Sequence, residues 1–213
     1  MNKKKLLLTL YIVGYVLFFS FKLPISAPSA LVSMTAYLVL FIIGIILYQT
    51  IFLKNLNWLA HNKLKSLFIL ALGWMGDLVA ITLGSVVIEG FGVTETLVND
   101  SNIYLVKQAF SPFIIIVILG IIGPVVEELF YRQILITGFS KYIPSWFAIF
   151  LSSFFFACVH MHALTINEFL LVTPHFFSGV FLGFLYKKTD NILFPTILHI
   201  FGNVTGLIPL LMN

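Results

Sequence analysis

Apolar residues along the chain are grouped in long runs that short polar stretches separate. A membrane-spanning helix needs roughly 20 mostly apolar residues, and about seven runs approach that length. The first and sixth runs are short for a span. The predicted helices cover residues 6–21, 30–53, 67–89, 112–139, 145–162, 174–186 and 192–211. We therefore predict an all-α fold, a polytopic membrane bundle of about seven transmembrane helices.

The composition indicates that a lipid bilayer surrounds the chain. Hydrophobic residues make up 60% of its 213 residues and charged residues only 9%, whereas soluble domains carry about 25% charged residues. The net charge is +4, but the basic residues are spread over short loops, so we predict no nucleic-acid partner. The single cysteine, Cys158, excludes an intrachain disulfide. The expected location is the cell membrane, which the chain crosses several times.

The distribution of lysine and arginine predicts the orientation. With the N-terminus in the cytoplasm, ten of the 12 basic residues fall on the cytoplasmic side, as the positive-inside rule favours. The N-terminal run also has a second interpretation, because its lysines, apolar core and following "SAPSA" resemble a cleaved signal peptide. An uncleaved first helix fits the charge pattern equally well, so the sequence leaves both interpretations open.

Ionisable residues interrupt the fourth apolar run in the stretch "GPVVEELFYR", residues 123–132. Charge inside a membrane span is costly, so such residues face the interior of a bundle and often mark function. Glu128 and Arg132 are one helical turn apart and can pair, whereas Glu127 points to another face and has no such partner within the helix. Either all three form a structural ion cluster, or Glu127 is left to do chemistry. Pro124 predicts a break or kink beside them.

Four polar residues are predicted to reach a similar depth in the membrane. With a rise of about 1.5 Å per residue, Glu127 lies roughly 18 Å from the cytoplasmic end of its helix and His160 roughly 22 Å. His199 lies at roughly 10 Å and Asn203 at roughly 16 Å, both on one face of the last helix. The prediction is that these side chains meet near the middle of the bilayer, as the groups of an active site must.

The remaining polar residues in apolar runs carry weaker signals. We interpret His162 as interfacial, His175 as the end of a helix and Asp77 as a structural residue that bonds a neighbouring helix. Ser152 and Ser153 have no base at a suitable position, and the motifs "GxSG" and "HExxH" do not occur. A membrane serine protease and a zinc protease of the "HExxH" type are therefore not expected.

Three short motifs, taken together, resemble one known family. "EELFYR" fits Glu-Glu-x-x-x-Arg, "FACVH" fits Phe-x-x-x-His and "HIFGN" fits His-x-x-x-Asn, in this order along the chain. The chain resembles the CPBP intramembrane proteases, which group CAAX prenyl proteases with bacteriocin-processing and bacteriocin-immunity (Abi) proteins. The resemblance extends over residues 112–207. It divides the chain into N-terminal transmembrane helices with an outer loop, residues 1–107, and a protease core, residues 108–213.

The resemblance implies a helical bundle with a membrane-embedded cavity open to the cytosol. The site residues that it implies are catalytic Glu127, His160, His199 and Asn203, with Glu128 and Arg132 in supporting positions. Glu127 takes the position of the catalytic base, and Asn203 takes that of the group that stabilises an oxyanion.

These inferences predict an intramembrane endopeptidase that hydrolyses a peptide bond in a membrane-associated peptide or protein. Glu127 would take a proton from a water held by His160 and His199, and the Asn203 amide would meet the oxyanion. A metallo-endopeptidase is the alternative mechanism, because two histidines and a glutamate suit a catalytic Zn²⁺ with an open position for water. In that case Glu127, His160 and His199 would be the metal ligands. The sequence leaves the choice between these mechanisms open.

Two other classes of function fit part of the sequence. A non-catalytic bacteriocin-immunity or membrane-scaffold protein of the same family would use the helices to bind a partner. A small transporter is the second class, since buried Glu and His residues also mark proton relays, but no repeats or paired broken helices support it. A composition rich in Lys, Asn, Ile and Phe favours a bacterial source, where a peptide precursor or membrane-anchored protein is the expected substrate.

Overall fold

The computed structural model describes residues 2–20, 27–97 and 106–212, and all regular structure within these ranges is helical. The predicted all-α fold, a polytopic helical bundle, is therefore confirmed. The principal helices are α1 (Lys3–Tyr15, continued by a π-helical turn at Val16–Ser20), α2 (Ala27–His61), α3 (Lys63–Gly90), α4 (Pro112–Phe139), α5 (Ser145–His160), α6 (Ile166–Leu171), α7 (Thr173–Thr189) and α8 (Leu193–Met212).

Five helical segments in the described ranges are long and apolar enough to cross a membrane. They are Ala30–His61, Lys63–Gly90, Pro112–Phe139, Ile166–Thr189 and Leu193–Met212. The sixth apolar run, predicted to be short, is lengthened to 24 residues because α6 leads directly into α7. The fifth run is shorter than predicted: α5 ends at His160, since the next residue, Met161, takes an extended backbone conformation with φ −74° and ψ 134°.

Helix α4 is the most enclosed of the five spans, with 61% of its apolar window buried against 22–33% for the other four. The side chains of Val126 and Leu129 pack there against Tyr11 of α1, Leu40 of α2 and Phe156 of α5. The stretch that carries both glutamates therefore lies in the centre of the bundle. Lipid contact is left to the outer helices, whose exposed side chains are mainly apolar.

The winding of α4 changes around Pro124, but the helix does not break there. A short α-helical segment, Gly123–Glu128, lies between two π-helical segments, Ile116–Ile122 and Leu129–Ile136. Pro124 occupies the first turn of the α-helical segment, where a missing backbone N–H is best tolerated. The predicted break is thus replaced by wide turns on either side, a feature that is frequent at functional sites.

Helices of the two halves of the chain pack closely where α3 meets α7. A Cβ atom on Gly84 would lie 2.4 Å from backbone atoms of Pro174, so only a glycine allows this approach. Near this contact the Ser178 hydroxyl donates a 2.6 Å hydrogen bond to Oδ1 of Asp77. Asp77 thus bonds a neighbouring helix, as the sequence indicated.

The start of α8 is fixed by the end of α2. Oδ1 of Asn55 accepts a hydrogen bond from the backbone N–H of Ile192 at 2.9 Å, and the Asn191 amide donates to the Asn55 carbonyl at 3.4 Å. These buried bonds satisfy polar groups at a helix start that would otherwise be exposed to an apolar environment. They set the position from which α8 carries His199 into the bundle.

Candidate active site

Glu128 is bound from two sides in the core of the bundle. Its Oε2 lies 3.0 Å from Nε of Arg132, one turn further along α4, and both side chains are completely buried. Its Oε1 lies 3.1 Å from Nδ1 of His199 on α8. The structure thus contains the predicted Glu128–Arg132 pair and adds His199 to it, a contact between helices that helical spacing does not predict.

The guanidinium of Arg132 is enclosed by protein on every side. Its Cζ lies 5.3 Å from the ring centroid of Phe156, a distance at which the face of an aromatic ring attracts a cation. The contact with Glu128 is an ion pair and not an aligned hydrogen bond. Within the described residues, Nη1 and Nη2 have no hydrogen-bond partner. Arg132 therefore depends on Glu128 and Phe156 for its stabilisation, which suits a structural role.

Glu127 points away from this ion pair, as the helical spacing predicted. Its Oε1 accepts a 2.9 Å hydrogen bond from the hydroxyl of Tyr37, on α2. Its Oε2 lies 3.6 Å from Nε2 of His199 and has no hydrogen-bond partner among the described residues. With only 6% of Glu127 exposed, this oxygen is a sheltered acceptor with a histidine nitrogen beside it.

His199 lies between the two glutamates and contacts each through a different ring nitrogen. An ionised carboxylate only accepts hydrogen bonds, so Nδ1 must carry the proton that it shares with Glu128. In the neutral ring Nε2 is then an acceptor, and it faces Oε2 of Glu127 across 3.6 Å. With His199 neutral, two acceptor atoms thus lie side by side, an arrangement that can hold both protons of one water molecule.

His160 closes the same region from the end of α5. Its Nδ1 bonds the backbone carbonyl of Phe156 at 2.8 Å, which orients the imidazole. The Phe156 ring contacts both histidines edge to face, with centroid distances of 4.9 Å to His160 and 5.5 Å to His199. The structure therefore brings Glu127, His199 and His160 into one region, with Phe156 between the two histidines.

His175 is a member of this region that the sequence analysis missed. It lies in the first turn of α7, at a helix end as predicted, but its ring stacks on His160 at a centroid distance of 4.2 Å and an angle of 28°. Its Nδ1 is buried without a hydrogen-bond partner in the described ranges. The signal that could have revealed it is the short connection from α5 to α7, which returns the chain to the end of α5.

Asn203 lies one turn beyond His199 on α8, and its side chain reaches α4. Its Nδ2 donates a 3.2 Å hydrogen bond to the carbonyl of Leu119, in the π-helical segment Ile116–Ile122. The structure thus places Asn203 against the helix that carries Glu127, and one of its two amide protons is used by the backbone. Its predicted role at an oxyanion stays a prediction.

Each of the three predicted zinc ligands is oriented by a hydrogen bond. Across residues 2–20, 27–97 and 106–212, no group of three or more His, Cys, Asp and Glu side chains is placed to hold a metal ion. Nδ1 of His160 is turned to the Phe156 carbonyl and Nδ1 of His199 to Glu128, and Oε1 of Glu127 is taken by Tyr37. Bonds from Nδ1 also orient histidines that bind a metal through Nε2, so the possible metal set Glu127, His160 and His199 stays a prediction.

Comparison with known proteins identifies the part of the chain that carries these residues. Residues 109–205 match the model of a family described as type II CAAX prenyl endopeptidase Rce1-like. This similarity agrees with the resemblance to the CPBP proteases that the motifs indicate. The matched range includes all six site residues that the motifs predicted, whereas Tyr37 lies outside it.

The chain is also similar to a curated protein. The chain is 30% identical over 120 residues to a Bacillus subtilis (strain 168) protein named "Putative membrane peptidase YdiL". The similarity covers 56% of this chain and 46% of the relative, so the chain spans about half the length of that protein. No solved structure matches the chain. With the family and the apolar helices together, the chain is a multi-pass membrane protein.

Proposed function

We propose that this protein is an intramembrane endopeptidase that hydrolyses a peptide bond in a membrane-associated peptide or protein. The observation that carries the proposal is the sheltered pair of atoms Oε2 of Glu127 and Nε2 of His199, which lie 3.6 Å apart. A water bound to both would be polarised by a carboxylate in a setting that lipid and protein shield from bulk solvent. The similarity of residues 109–205 to a family of endopeptidases supports the same reaction class.

Glu127 is proposed as the general base. Its Oε2 takes a proton from the bound water, and the remaining hydroxide attacks the carbon of the scissile carbonyl. The tetrahedral intermediate then collapses as the C–N bond breaks, and Glu127 returns the proton to the leaving nitrogen. A positioned acid–base group of this kind contributes about 10²–10⁴-fold to the rate.

Glu128 and Arg132 are proposed as the support for His199. Glu128 holds the Nδ1 proton of His199, which fixes the tautomer and turns Nε2 toward Glu127. Arg132 compensates the charge of Glu128 where no water can do so. The neighbouring glutamates thus have different tasks, one acting on water and the other on the histidine.

His160 and Asn203 are proposed to contact the substrate side of the reaction. His160, oriented by the Phe156 carbonyl, borders the water position together with His199. Asn203 has a second amide proton besides the one donated to Leu119, and this proton is proposed to meet the developing oxyanion. His160 lies on α5 and Asn203 on α8, so the proposed site is complete only when these helices pack against α4.

The substrate is proposed to be a peptide precursor or a membrane-anchored protein in a bacterial cell membrane. The N-terminus is proposed to lie in the cytoplasm, because ten of the 12 basic residues then fall on the cytoplasmic side. A comparison of membrane peptides from cells that produce the wild type, Glu127→Gln or no protein tests the function. Cleavage products that appear with the wild type alone are the expected result. Products shared with Glu127→Gln would overturn it and would favour a non-catalytic immunity or scaffold role.

A further inference from the structure

Tyr37 is the contact that joins the N-terminal half of the chain to the reactive carboxylate. It lies on α2, outside the range 109–205 that matches the protease family. Its hydroxyl donates a 2.9 Å hydrogen bond to Oε1 of Glu127, from a position 90 residues earlier in the chain. No charge or motif in its own helix marks this tyrosine in the sequence.

The ring of Tyr37 is held by packing on two sides. It contacts Phe19, at the end of α1, with ring centroids 4.3 Å apart and an angle of 36°. It also lies over Gly123 of α4, where an added Cβ would be 3.5 Å from Cε1 of the ring. The ring is thus packed between α1 and α4. Its hydroxyl can therefore bond Glu127 with little further loss of side-chain entropy.

The bond to Tyr37 makes the two oxygens of Glu127 inequivalent. Oε1 is engaged by the phenol, whereas Oε2 is turned toward Nε2 of His199 and has no partner among the described residues. A carboxylate without this bond could rotate about its last torsion, which has a broad energy profile. We propose that Tyr37 is a positioning residue, which holds Oε1 of Glu127 so that Oε2 faces the water beside His199.

This inference rests on the proposed function and adds to it. The helices before residue 109 complete the active site, besides anchoring the chain in the membrane. A hydrogen bond to a charged group contributes about 1.5–3 kcal/mol, which corresponds to about a 10- to 100-fold change in rate. The loss is expected in kcat and not in substrate binding, because Tyr37 acts through Glu127. KM should change by less than about 3-fold.

A matched control is available at Tyr11. Its hydroxyl is buried and donates a 2.8 Å hydrogen bond to the carbonyl of Val126, the residue before Glu127. That carbonyl also accepts from the backbone N–H of Leu129, so it keeps a partner when the phenol is removed. Tyr11→Phe and Tyr37→Phe therefore delete the same group close to the same place, but only the second deletion changes the carboxylate.

The test uses the full chain in vesicles of phosphatidylethanolamine and phosphatidylglycerol. The infrared carboxyl bands of Glu127 are assigned by their loss in Glu127→Gln, and they are then compared between the wild type, Tyr37→Phe and Tyr11→Phe. Tyr37→Phe is expected to shift these bands, because a hydrogen bond to the carboxyl group alters its stretching frequency, whereas Tyr11→Phe leaves them in place. Unshifted bands in Tyr37→Phe would overturn the inference.

Cleavage of synthetic single-span peptides in the same vesicles separates the inference from the function on which it rests. The expected result is a 10- to 100-fold lower kcat for Tyr37→Phe and near wild-type cleavage by Tyr11→Phe. If Glu127→Gln is inactive while Tyr37→Phe equals the wild type, the inference alone fails. If the wild type cleaves no better than Glu127→Gln, the proposed function fails and the inference falls with it.

Discussion

Nδ1 of His199 lies 3.1 Å from Oε1 of Glu128, although 71 residues separate the two along the chain. The contact joins α8 to α4 in the most enclosed part of the bundle. Glu128 therefore has a task beyond compensating Arg132, because it also orients the histidine that faces Glu127. Buried charges are costly by themselves, and here Glu128 is compensated by Arg132 while it orients His199.

Arg132→Ala is expected to reduce the amount of folded protein. The substitution leaves the Glu128 carboxylate buried without its cation, and removing one partner of a buried pair costs about 3–5 kcal/mol. Size-exclusion chromatography and thermal unfolding in detergent measure the effect. Glu127→Gln is the matched comparison, because Glu127 lies outside the ion pair and its amide keeps the size of the side chain. A normal yield and unfolding temperature for Arg132→Ala would contradict a structural role.

Gly84→Ala is expected to disrupt the packing of α3 on α7. The new Cβ would lie 2.4 Å from the backbone of Pro174, and such overpacking costs about 1–3 kcal/mol. Gly90→Ala, on the same helix, is the control, since its Cβ would meet nothing within 4 Å. Thermal unfolding should show a lower transition for the first variant only. Equal transitions would mean that the helices do not approach each other as closely as described.

His175 is expected to act through its contact with His160. His175→Phe keeps a ring against the imidazole, whereas His175→Ala removes the stack, which is worth about 0.5–1.5 kcal/mol. The alanine variant should therefore lose up to about 10-fold in cleavage rate, and the phenylalanine variant should stay close to the wild type. Rates for single-span peptides in vesicles measure both. Equal losses in the two variants would show that a nitrogen atom of His175 is required.

Asn203→Ala is expected to lower kcat more than it changes KM. The loss of one donor to an oxyanion typically costs about 10²–10³-fold in kcat. Thr205→Ala is the control, because it deletes an exposed hydroxyl of the same helix that bonds the nearby backbone carbonyl of Phe201. Steady-state kinetics on the same peptides distinguish the two. A kcat for Asn203→Ala similar to that of Thr205→Ala would limit Asn203 to its bond with the Leu119 carbonyl.

Relationships within one helix could be predicted from the sequence. The Glu128–Arg132 pair follows from a spacing of one turn, and the different direction of Glu127 follows from the same periodicity. The apolar runs were sufficient to predict the helices, because a membrane leaves the backbone few other ways to satisfy its hydrogen bonds. These features need only local geometry, which the order of the residues determines.

Relationships between helices could not be predicted in the same way. The bond from Tyr37 to Glu127 depends on how α2 is rotated about its own axis relative to α4. Apolar residues lie on all sides of both helices, so the sequence does not predict this rotation. The stacking of His175 on His160 depends on where α5 ends, which the extended backbone of Met161 decides. The π-helical segments on either side of Pro124 also change which residues of α4 share a face, and the proline alone does not predict these segments.

The most direct test of the central claim is cleavage in water enriched in ¹⁸O. The account predicts that the wild type, in vesicles with a single-span peptide, places one ¹⁸O atom in the new C-terminal carboxyl group of the product. Glu127→Gln, folded to the same extent, should yield no labelled product. Labelled product formed at the wild-type rate by Glu127→Gln would contradict the assignment of Glu127 as the base that activates water.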